Sequence, residues 1–116
     1  MTIVRGGTDC GNSPKNLFVK TVAVALVSGE FIPEAFAEGA LWRHQSGVIE
    51  GRPAIGEWLA QQPKPDEITI AHAISHGRVG AASGALVLDG QAYRFAFVFE
   101  FTNTKGNVVS RIESYE

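Results

Sequence analysis

A chain of 116 residues with 10 Lys plus Arg against 12 Asp plus Glu has the size of one domain and a net charge of −2, so neither nucleic acid nor a membrane surface is an expected partner. Its 45% apolar residues can build a core unaided; the single cysteine, Cys10, closes no internal disulfide and joins no zinc-spaced cluster, and a reducing cytoplasm is the expected compartment. No apolar run near the start has signal-peptide length and none further on is long enough to span a bilayer, which leaves 13 glycines and 7 phenylalanines as the features whose placement needs explaining.

Residues 1–12 carry Gly6, Gly7 and Gly11 and no hydrophobic period, and they read as a flexible arm ahead of a single domain over 13–116. Ser13-Pro14 puts an N-cap hydroxyl before a proline at the first helical position, and Gly29 supplies a stop. A helix is therefore predicted from Pro14 to about Ser28, despite the valine-rich run from Val19 to Val27. It is apolar nearly all round and must be covered on more than one side. A short second helix is predicted over 33–38. A strand over 40–46 follows, with Ala40, Trp42, His44 and Ser46 on one face. Arg52-Pro53 opens a third helix with Ile55, Trp58 and Leu59 at helical spacing, closed by Pro63 and Pro65.

From Glu67 the period becomes two, and Gly77, Asp89-Gly90 and the 103–106 stretch divide the remainder into four strands of an antiparallel meander. Asp89-Gly90 predicts a type I′ hairpin. One face of the 91–101 strand is wholly aromatic, with Tyr93, Phe95, Phe97, Phe99 and Phe101, while the strand before it holds Gly80, Ala81, Ala82, Ser83, Gly84 and Ala85. Large side chains beside small ones let a sheet bend while its concave side stays filled. The expected fold is α+β: three N-terminal helices packed on a strongly curved, mostly antiparallel sheet.

Three local patterns accompany this order of elements: Glu34-Ala35-Phe36-Ala37-Glu38-Gly39-Ala40 leading into the first strand, Gly51-Arg52-Pro53-Ala54-Ile55 opening the third helix, and Phe99-Glu100-Phe101 followed by Ile112-Glu113-Ser114-Tyr115 at the end. Together they resemble the nuclear transport factor 2-like (NTF2-like) superfamily, and within it the SnoaL-like and ketosteroid isomerase-like proteins, over nearly the whole of 13–116. The resemblance implies a cystatin-like cone whose curved sheet wraps the helices around an apolar pocket, often paired into homodimers through the outer sheet face. In the ketosteroid isomerase pattern the general base, an Asp on the first strand, corresponds to His44. The oxyanion-donating acid corresponds to Phe97, and the first-helix tyrosine falls at about Val22. With both donors replaced by hydrocarbon an enolate would lack its main electrostatic stabilisation, so steroid isomerisation is not expected.

His44 is the candidate catalytic residue, because a neutral imidazole in an apolar cavity can take or give a proton. The alternative is a ring that satisfies a backbone group or a water. Ligand contacts are expected from Trp42, Val22, Trp58, His72 and Phe97, while most of the aromatic row serves the core. Strand alternation puts His72 on the face of Ile68, Ile70 and Ile74, toward the pocket or at a dimer contact, and a one-residue slip would exchange its faces. His72 and His76, four apart on a strand, lie about 13 Å from each other and cannot share a metal ion. No metal and no cofactor are expected.

Arg78, Arg94, Glu100, Arg111 and Glu113 fall on the outer face as a charged surface or dimer rim. Cys10 has no neighbouring base and is not expected to be a nucleophile, and the lead-in around it could fold over the pocket opening. The expected function is a small-molecule pocket protein of the SnoaL-like type, an isomerase, cyclase or hydrolase acting by proton transfer on an apolar substrate with His44 as general acid/base. The alternative is a non-catalytic apolar-ligand-binding domain or a dimeric interaction domain.

Overall fold

The computed structural model describes residues 2–6 and 13–115, and Cys10 with the rest of its 9–12 lead-in lies outside them. Helix α1 (Pro14–Ser28) starts where Ser13 Oγ accepts the Asn16 N–H at 3.1 Å and stops where Gly29, at φ 77°, donates its N–H to the Ala25 carbonyl. Val19 and Val22 lower its intrinsic propensity by roughly 0.5 kcal/mol each, but both are buried, and burial of a valine outweighs that deficit.

The second predicted helix is corrected to a single 3-10 turn, Pro33–Ala35, so the described residues hold two α-helices rather than three. Phe36 is buried, its ring stacks on Phe31 with centroids 5.8 Å apart, and its carbonyl accepts two bonds from the Arg52 guanidinium at 2.9 and 2.7 Å. That carbonyl is no longer free for a helical bond, and the chain leaves as strand β2 (Phe36–His44), earlier than the alternation suggested. Gly47 does not end the strand region; it opens a short return strand, β3 (Gly47–Glu50), paired antiparallel with β2. Helix α2 (Arg52–Ala60) then begins at the predicted Arg52-Pro53.

Strands β4 (Glu67–His76), β5 (Val79–Leu88), β6 (Gln91–Phe101) and β7 (Val109–Tyr115) form the predicted meander. Asp89 at φ 52° and Gly90 at φ 81° make the primed turn that suits strand twist. Residues Ile3–Gly6 are a strand, β1, rather than loose chain. They pair in parallel with β4, anchored by the Ile3 N–H on the Asp66 carbonyl at 3.0 Å and by Arg5 on Glu67 at 2.7 Å. All of them stay exposed, so four residues held by backbone bonds carried no hydrophobic alternation to read. The sheet order is β1-β4-β5-β6-β7-β2-β3, mixed because β1 pairs in parallel with β4 and β2 in parallel with β7. The sheet is curved.

One irregularity decides the faces of β4. Ile70 pairs with Gly84 and His72 with Ser83, so Ala71 is an extra residue. Ile68 and Ile70 are buried before the bulge and Ala73 after it, which turns His72 and Ile74 outward. A Cβ on Gly84 would collide with the Thr69 carbonyl oxygen, so only glycine lets β5 lie this close to the bulged strand. Gly80 plays the matching part under the helix: a Cβ there would sit 2.7 Å from Val19 Cγ2 and 2.8 Å from Phe101 Cζ. The expected pairing of small residues with the aromatic row is thus observed, and Phe95, Phe97, Phe99 and Phe101 are all buried.

Candidate functional site

Strand register lays the inward side chains in rows. Trp42, Ile112, Phe99 and Gly80 face one another across β2, β7, β6 and β5, and Ser114, Phe97 and Ala82 form the next row. His44 follows Trp42 on β2 one position past the Arg43 and Glu113 pair, which brings it level with Ser114 on the adjacent parallel strand. At this end the core opens into a cavity of about 320 Å³. Leu26 and Val27 of α1, Trp58 of α2, Leu86, Phe95 and Phe97 of the sheet, and Pro63 and Pro65 make its apolar walls; Trp42, His44, Ser114 and Gln62 bring polar atoms.

The imidazole of His44 stacks on Trp58 with centroids 4.7 Å apart at 20° and meets Trp42 edge-on at 6.4 Å and 81°. Its Nδ1 accepts the Ser46 N–H at 3.1 Å. A nitrogen that accepts carries no proton, so this bond assigns the neutral ring its Nε2–H tautomer. It also closes the β2–β3 loop, where neither Gln45 nor Ser46 has the positive φ of a primed hairpin turn. The Trp42 indole N–H donates to Ser114 Oγ at 3.0 Å.

Four of the residues expected at the site, His44, Trp42, Trp58 and Phe97, line this one cavity. Val22 does not: it is buried within the core, and Leu26, one turn further along the same helix face, reaches the cavity instead. His72 is exposed on the outer side of the sheet, reversed by the bulge at Ala71. Tyr93 shares the aromatic face by alternation but is 47% exposed at the sheet end, where its hydroxyl donates to Gln91. Ser114 was missed. Its signal was present, since it follows Ile112 by two residues and so shares the inward face.

A groove of about 280 Å³ continues from the cavity across Arg43, Gln45, Glu113 and Tyr115. There the Tyr115 hydroxyl donates to Glu113 at 2.7 Å, and this bond, with the carboxylate charge, holds the phenol above its usual range. Among the described residues no group of three His, Cys, Asp or Glu could hold a metal ion, and no helix is long and apolar enough to cross a membrane.

An apolar cavity enclosed by a curved sheet and two helices defines the class of fold, and comparison with solved structures agrees. An NTF2-like protein of unknown function from Burkholderia xenovorans LB400 is 18% identical at a TM-score of 0.71, over 89% of this chain and 85% of that one. A second such protein, from Cytophaga hutchinsonii ATCC 33406, is 10% identical at 0.67, over 87% and 88%. A candidate ketosteroid isomerase from Kribbella flavida DSM 17836 is 20% identical at 0.67, over 85% and 80%. No protein-family model and no curated protein matches the sequence. The chain has the NTF2-like fold.

Proposed function

We propose that the protein is a SnoaL-like pocket protein of the reducing cytoplasm that binds a flat, apolar small molecule in this cavity, with His44 as the group that can donate a hydrogen bond to the bound molecule. The observation that carries the reading is the position of His44, the only ionisable side chain among the described residues of the cavity lining, held between Trp42 and Trp58. A proton taken from substrate would need a free lone pair, and the Nδ1 pair already accepts from Ser46. The arrangement therefore supports hydrogen-bond donation from Nε2–H over proton transfer, since a neutral ring that gave up this proton would be left as an imidazolate. Binding without turnover needs only the aromatic walls, and the absence of any carboxylate from the lining among the described residues favours it as the second reading.

Thermal-shift measurement and native mass spectrometry with a panel of neutral bicyclic aromatics test the proposal. Binding by the parent protein is expected. His44→Phe should retain the hydrocarbon members of the panel and weaken those that carry a carbonyl, and Trp58→Ala should weaken all of them about tenfold through loss of stacking and wall area. No shift with any member of the panel would contradict the pocket reading.

We further propose that two copies pair through the outer sheet face. Ile74, Val79 and Tyr115 are 59%, 47% and 55% exposed there. Ile74 continues through Ala81 and Val98 as one cross-strand apolar row, flanked by the Glu100 and Arg111 pair at 3.7 Å. Light scattering at roughly tens of micromolar should give a dimer and Ile74→Glu a monomer; a monomeric parent protein would refute the pairing.

A further inference from the structure

We infer that the polar end of the cavity is a two-donor clamp, His44 Nε2–H with Ser114 Oγ–H, which selects a neutral flat ligand by a carbonyl oxygen that accepts from both. The inference rests on the pocket reading above and names the ligand chemistry of that pocket.

Ser114 carries it. A hydroxyl has one proton to give and two lone pairs, and here one lone pair is taken by the Trp42 indole N–H at 3.0 Å. Among the described residues no acceptor takes the Ser114 proton, so it is available to the cavity that Ser114 lines. His44 is in the same condition for a different reason: Nδ1 is occupied by the Ser46 N–H, and Nε2–H has no partner among the described residues. The two residues stand level on adjacent parallel strands.

The rest of the lining limits the ligand. Among the described residues no charged side chain lines the cavity, so a carboxylate or ammonium would be desolvated without a counter-charge. The side-chain amides of Gln45 and Gln62 also line the cavity, and Gln62 donates its N–H back to the Trp58 carbonyl at 3.1 Å. A volume of about 320 Å³ is near the lower end of small-molecule pockets, roughly 300–1,000 Å³, and suits one or two rings between Trp58 and Phe97. Trp42 acts through Ser114 and is a positioning residue.

The test compares 2-acetylnaphthalene with its near-isostere 2-ethylnaphthalene, titrated against tryptophan fluorescence of the full chain. The acetyl compound should bind about tenfold more tightly, the gain of two hydrogen bonds in an apolar site. Ser114→Ala should cut that ratio about threefold, and Ser114→Thr, which keeps the hydroxyl, should restore it. Equal binding of the two compounds by the parent protein would overturn the clamp and leave the pocket standing. Failure of both to bind would overturn the pocket reading and the clamp with it. An acetyl preference that survives Ser114→Ala unchanged would remove Ser114 from the site.

Discussion

Gly84→Ala is expected to lower stability by about 3 kcal/mol, the upper end of what overpacking costs, and to drop the melting temperature on the order of 10–15 °C. The added methyl meets the Thr69 carbonyl, which is backbone and part of the bulged segment, and so cannot rotate aside as a side chain would. Relief requires β4 and β5 to separate where Ile70 pairs with Gly84, in the buried part of the sheet. Gly39→Ala is the control. A Cβ there has nothing within 4 Å, and the variant should stay within about 0.5 kcal/mol of the parent. Urea unfolding of the pair decides the matter, and a Gly84→Ala protein as stable as the Gly39→Ala one would show that the bulge is not held by that contact.

Phe99→Ala should cost about 4 kcal/mol, whereas Tyr93→Ala, on the same face of the same strand, should cost less than about 1 kcal/mol. Phe99 is fully buried, its ring lies 5.9 Å from Phe97 at 22°, and it faces Gly80 and Ile112 on the neighbouring strands. Deleting it leaves a cavity that the surrounding sheet cannot collapse into. Tyr93 lies beyond the helices at the sheet end, about half in solvent. Denaturant unfolding of both variants checks the ranking, and similar losses would contradict the burial gradient along β6.

That gradient marks where reading the chain reaches its limit. Alternation in 91–101 correctly placed Tyr93, Phe95, Phe97, Phe99 and Phe101 on one face, but it carries no information on which of them the helices cover. The same holds for the helix breaks. Ser13, Pro14 and Gly29 act on their own backbone, and α1 begins and ends as they dictate. Proline at 33 signalled a helix start equally well, yet the next element became a strand because Arg52, far along the chain, takes the Phe36 carbonyl. Ile3–Gly6 lacked any local signal, since β4 supplies both its partner and its anchor.

At the site, strand parity on β2 put Trp42 and His44 together, and the helical spacing of α2 offered Trp58. The meeting of those three rings around one cavity depends on how α2 crosses β2, and the direction of His44 depends on a turn whose Ser46 N–H it caps. Of the two positions open to His72, the outer face is the one taken, because a single inserted residue, Ala71, reverses every side chain after it in a structure of period two.

Helix caps, the primed hairpin, the strand meander and the small-against-large pairing that bends the sheet are all legible in the amino-acid order, because each is governed by residues adjacent in the chain or by a period that they repeat. The 3-10 turn in place of a second helix, the outward turn of His72 and the partnership of Trp42 with Ser114, which are 72 residues apart, are not. Those depend on contacts between distant segments and on one bulge that Gly84 accommodates by letting β5 lie close to β4. The 13 glycines and 7 phenylalanines divide along the same line: their alternation is local, and the cavity they leave at one end of the core is not.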